Sequence, residues 1–95
     1  MELKERFGKG LLLARNSRNL TQEDFALISS RTYLSRLERG LQSPTMEKIE
    51  QLAKLLEVHP ITLFALGYAP NGQNGIDALC NQVRDELSDL KVKRK

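Results

Sequence analysis

The sequence predicts an all-α fold, and three observations predict it. Apolar residues recur every three or four positions, and no stretch alternates convincingly with period two. Capping and stop residues (Asn19, Thr21, Ser29, Ser30, Gly40, Thr45, Pro60) fall at short intervals, so the chain divides into short helices joined by polar turns. Its 95 residues and 40% hydrophobic content fit one domain with a modest core.

Residues 3–18 read as the first helix, with Leu3, Phe7, Leu11 and Ala14 on one face. Asn19 follows, where a helix commonly ends in a left-handed turn. Leu12 and Leu13 fall partly off the stripe and call for a cover from elsewhere in the chain or from a second subunit. Thr21 caps a short second helix, Gln22 to Leu27 or Ile28, with Asp24 completing an approximate capping box. Ser29 or Ser30 caps a third, running to Arg39 and stopped by Gly40. Tyr33, Leu34 and Leu37 form its apolar face; Arg31, Thr32, Ser35, Arg36 and Arg39 point elsewhere.

Thr45 caps a fourth helix through Leu56, with Met46, Ile49, Leu52, Ala53, Leu55 and Leu56 expected on its buried stripe. Pro60 suits the first turn of a fifth helix, Ile61 to Leu66, with His59 as a turn or capping residue. The segment "GYAPNGQNG", residues 67–75, reads as loop, which sets a domain boundary near residue 68 and a linker over 69–75. A sixth helix, roughly 76–91, carries Ile76, Cys80, Val83, Leu87 and Leu90 at spacings 4, 3, 4, 3, widened by Leu79. Two heptads are marginal alone, so this seam needs a partner surface: its own domain, or a second copy. A contribution to dimerisation is the expectation.

Composition narrows the function classes. No apolar run is long enough to span a membrane, and the N-terminus MELKERFGKG lacks the apolar core of a signal peptide, so a cytoplasmic location is expected. One histidine (His59) and one cysteine (Cys80) leave no metal-ligand set, no internal disulfide and no nucleophile–base pair. Neither enzyme activity nor a cofactor is expected. Net charge is +3, and the distribution says more than the sum. Residues 29–45 hold Arg31, Arg36 and Arg39 against Glu38 alone, a local balance of 3 − 1 = +2, and the tail KVKRK adds four positive side chains.

A short helix, a tight turn and a second short helix with basic outer positions make a helix-turn-helix candidate. A major groove about 12 Å wide admits one α-helix, and arginine's forked donors match the two acceptors on guanine's edge. The runs "LTQEDFA", "RTYLSRLERG" and "SPTMEKIEQLAKLLEV" resemble the lambda-repressor/Cro-like (XRE) helix-turn-helix family, over about residues 3–66. The resemblance implies a five-helix DNA-binding domain, here followed by an additional C-terminal helix, acting as a dimer on a two-fold-related operator. It assigns base contacts to Arg31, Thr32 and Arg36, with Ser35 as an additional one. Gln22 matches a residue that touches the DNA backbone and braces the reading helix. Arg39, Gln42, Ser43 and Thr45 lie where the family grips phosphates, and the Tyr33 hydroxyl is a further phosphate donor. Arg15 and Glu38 match an ion pair tying the first helix to the end of the third.

One feature departs from the family. About two more residues, typically within an Ala-Gly-Val turn, normally separate "FA" from "SRTY"; here "LISS" makes the turn without glycine. The expectation is a shortened second helix or tighter turn, and a shifted angle for the reading helix. The overall reading is a homodimeric transcriptional regulator, a repressor, from a bacterium or phage, with double-stranded DNA as partner. A restriction–modification controller and an autoregulating antitoxin with a toxin partner belong to the same class, and the neighbouring gene separates them. From another class comes a protein-binding adaptor on a helix-turn-helix frame.

Overall fold

The computed structural model describes residues 2–69 and 73–90. The described residues form five α-helices and one 3-10 turn, with no strand among them: α1 (Leu3–Ser17), the 3-10 turn (Gln22–Phe25), α2 (Arg31–Glu38), α3 (Met46–Leu56), α4 (Pro60–Tyr68) and α5 (Gln73–Asp89).

Local chemistry explains most boundaries. Asn19 adopts φ 57°, and the amides of Asn19 and Leu20 bond back to Asn16 O and Arg15 O, closing α1 with a left-handed Schellman turn. Ser30 caps α2 through Tyr33 N–H at 3.0 Å. Gly40, at φ 73°, ends α2 the same way: its amide reaches Leu37 O, and Leu41 N–H reaches Arg36 O at 3.0 Å. Thr45 Oγ1 accepts from Lys48 N–H at 3.1 Å, opening α3. His59 Nδ1 accepts from Ile61 N–H at 3.0 Å, opening α4 behind Pro60.

Four elements depart from the sequence reading. The expected second helix is a four-residue 3-10 turn, followed by i→i+3 bonds from Ala26 to Glu23 O and from Ile28 to Phe25 O. Only the last bond of the segment is α-type, Ser29 N–H to Phe25 O at 2.9 Å, and Phe25 is fully buried in the core. Met46, expected on the buried stripe of α3, is exposed. It sits in the first turn at the rim of that stripe, beyond the cover of neighbouring elements. α4 continues past Leu66 to Tyr68, its Gly67 carbonyl accepting Arg6 Nε at 2.8 Å. α5 begins at Gln73 inside the predicted linker, because first-turn amides have no intrahelical partner and poor helix formers cost little there. Lys91 to Lys95, which include the end of the predicted helix and the basic tail, lie outside the described residues.

The core gathers Phe7 and Leu11 of α1, Phe25 of the 3-10 turn, Leu34 and Leu37 of α2, Ile49, Leu52, Ala53 and Leu56 of α3, and Leu63 of α4. α1 packs against both α2 and α4, and α3 against α4. The α1–α2 approach is close: a Cβ on Gly8 would collide with the backbone carbonyls of Leu37 and Glu38, so only glycine fits. The outer stripe of α5 stays in solvent. Ile76, Cys80, Val83, Leu87 and Leu90 are exposed and Leu79 is half-buried. The helix does not fold back to cover Leu13, which is 69% exposed.

Candidate nucleic-acid interface

The candidate interface is built on α2. Burying Leu34, Leu37 and Glu38 against the domain turns Arg31, Thr32, Ser35, Arg36 and the C-cap Arg39 to the opposite side. With Gln22 these five side chains line one shallow concavity of about 360 Å³. Both arginines predicted to read bases have a polar neighbour. Arg31 Nη1 lies 3.3 Å from Glu23 Oε1, with both side chains more than two-thirds exposed. Arg36 Nε donates to Gln42 Oε1 at 3.1 Å.

The α2 helix is held from behind by a buried polar group. Arg15 Nε and Nη2 donate to the two oxygens of Glu38 at 2.6 and 3.0 Å, and the Arg15 and Glu38 side chains are only 12% and 5% exposed. Gln22 Nε2 donates to Glu38 Oε1 at 3.0 Å, and Arg15 Nη1 donates to Leu20 O at 2.9 Å. The hydrogen bonds that Arg15 donates to Glu38 raise the Arg15 pKa above its ordinary value, against the opposing effect of burial. One carboxylate thus binds α1, the start of the 3-10 turn and the end of α2 into a unit, and no buried side-chain polar atom among the described residues lacks a partner. Gln22 uses its amide NH₂ inward, which leaves its carbonyl at the rim of the concavity.

Lys48 is a residue the sequence reading did not single out. Its ammonium, carried on α3, bonds to the Ile28 carbonyl and stands 5.4 Å from the centre of the Tyr33 ring. It therefore clamps the glycine-free turn just ahead of α2. The Tyr33 ring packs against the core, and burial raises its phenol pKa. Tyr33 is not among the residues lining the concavity.

Ser43 and Thr45 fall outside that concavity as well. Thr45 is the α3 cap, and Ser43 lies on a separate, mostly apolar cleft of about 520 Å³ with Leu3, Phe7, Ile49, Phe64 and Tyr68. Among the described residues no cluster of three or more His, Cys, Asp or Glu could hold a metal ion, and no helix is long and apolar enough to cross a membrane.

A family model described as helix-turn-helix matches residues 11–63, more than half of the chain, from the middle of α1 into α4. The chain belongs to this XRE, lambda-repressor-like helix-turn-helix family. No curated protein shows a significant match to it. Family membership makes this helix-turn-helix protein a DNA-binding transcription regulator.

Proposed function

We propose that this protein is a homodimeric, sequence-specific repressor that reads an inverted-repeat operator through α2, in the cytoplasm of a bacterium or phage-infected cell. The observation that carries the reading is the composition of one surface. Arg31, Arg36 and Arg39, the hydroxyls of Thr32 and Ser35, and the Gln22 amide share a single concave face without an apolar side chain. In the major groove, Arg31 and Arg36 present forked donors to guanine edges, and Thr32 and Ser35 supply adaptable hydroxyls. Arg39, at the end of α2, neutralises phosphate, with Ser43 and Thr45 as further backbone contacts.

Dimerisation follows from reach. One short helix covers only a few base pairs, and two copies reading major-groove faces about 34 Å apart combine their affinities. The exposed stripe from Ile76 to Leu87 on α5, a 17-residue helix about 25 Å long, with Leu90 just past its end, supports pairing with a second copy. Occupancy is then set by protein concentration through the monomer–dimer equilibrium. Light scattering tests it: Leu87→Asp yields monomers that keep the thermal stability of the domain. A wild-type monomer at operator-saturating concentration refutes the dimer.

Selection of bound sequences from a random duplex pool tests the main claim. The expected product is a short inverted repeat. Arg31→Ala and Arg36→Ala each weaken binding to it by about 5- to 150-fold and relax its sequence preference. Arg39→Ala weakens all DNA more evenly and flattens the salt dependence. If the first two variants leave the gap between selected and random DNA intact, α2 does not read bases. In that case the adaptor reading, a helix-turn-helix frame that binds protein, gains ground.

A further inference from the structure

The Schellman turn at the end of α2 has a second effect. Gly40, with φ 73°, reverses the chain so that Leu41 N–H bonds to Arg36 O, and this folds residue 42 back alongside the side chain of Arg36. Gln42 Oε1 then accepts Arg36 Nε–H at 3.1 Å. The amide orientation follows from chemistry, because arginine only donates and Gln42 must present its oxygen. Arg36 has five N–H donors, and this bond uses the one on its inner edge. Its two terminal nitrogens stay free, and they are the pair that meets guanine O6 and N7 end-on.

We infer that Gln42 is a positioning residue for sequence recognition, holding Arg36 in the end-on pose that reads one guanine. The inference rests on the reading of α2 as the base-reading helix. It differs from a phosphate-contact role, in which Gln42 adds affinity for any duplex. The Glu23–Arg31 pair makes the contrast: Glu23 engages a terminal nitrogen, Nη1, at 3.3 Å, and so competes with a base for the donors that would read it. Gln42 leaves those donors open on Arg36. A fixed guanidinium loses less side-chain freedom on binding and rejects bases that do not match its pose, so the gain appears as discrimination.

Fluorescence anisotropy with the full chain tests this, using the selected operator, copies with each guanine replaced in turn, and random duplex. Gln42→Ala lowers the ratio of operator to random affinity by about five- to tenfold, with the loss centred on one guanine position per half-site. Gln42→Glu keeps an acceptor for Arg36 Nε and so holds that ratio within about twofold of wild type, although its added negative charge weakens binding to every duplex. Adding Gln42→Ala to Arg36→Ala lowers the ratio no further. Circular dichroism verifies that each variant is folded. Equal weakening of operator and random DNA by Gln42→Ala makes Gln42 a phosphate contact and overturns the inference, while Arg36→Ala still loses discrimination. A full ratio in Arg36→Ala itself overturns both the inference and the reading beneath it.

Discussion

Replacing Glu38 with alanine removes the shared acceptor of three hydrogen bonds, two from Arg15 at 2.6 and 3.0 Å and one from Gln22 at 3.0 Å. Breaking a buried ion pair from one side costs about 3–5 kcal/mol, mostly because the remaining charge is stranded. Two features soften the loss here. Arg15 keeps its bond to Leu20 O, and 12% of its side chain still reaches water. The expected loss is therefore at the lower end, about 3 kcal/mol. A domain this size has about 5–15 kcal/mol in total, and each kcal/mol is worth about 4–8 °C, so Tm falls by about 12–24 °C. Urea unfolding followed by circular dichroism gives the free energy directly. Operator binding measured well below the lowered Tm also weakens, because Gln22 and α2 lose their common anchor. A loss under about 1 kcal/mol, with an unchanged m-value, refutes the claim that this carboxylate organises the interface. Because Glu38 raises the Arg15 pKa above its ordinary value, the ion pair's contribution persists through neutral pH. On the alkaline side it fades as pH climbs through that raised value.

Other substitutions separate the remaining contacts. Lys48→Met keeps the apolar stem but removes the ammonium that holds Ile28 O and covers Tyr33, and it costs about 2 kcal/mol in urea unfolding. Glu57 ends α3 at φ 60°, a left-handed position that glycine adopts freely, so Glu57→Gly raises stability by about 0.5–1 kcal/mol, read as a higher Tm. Burial raises the Tyr33 phenol pKa, so the unfolded chain loses that proton first and stability declines as pH rises past about 10. Tyr33→Phe makes that alkaline decline shallower in pH-dependent melts.

Legibility in the sequence followed the range of each interaction. Ser30, Thr45, His59–Pro60, Asn19 and Gly40 act within a few residues of themselves, so their caps and turns could be read from spacing alone. The polar face of α2 was readable for the same reason, since one helical period sorts Arg31, Ser35 and Arg39 from Leu34 and Leu37. Contacts across the chain were not. Arg15 and Glu38 lie 23 positions apart and emerged only through resemblance to a family. The bond from Lys48 to Ile28 depends on how α3 crosses the turn, which no local pattern encodes. Gln42 was read as a phosphate contact because its meeting with Arg36 exists only once the Gly40 turn is closed. The exposure of Met46 was missed because periodicity marks a stripe but not where its cover ends.

Methylation interference at guanine N7 on the selected operator tests the central claim most directly, since a methyl there blocks the acceptor an arginine fork would use. The account predicts a small set of guanines whose methylation abolishes wild-type binding. For Arg36→Ala, methylation of one of these per half-site ceases to matter, and for Arg31→Ala a different one. Interference patterns identical in wild type and both variants would contradict it, because the guanidinium groups of α2 would then not be what the DNA meets.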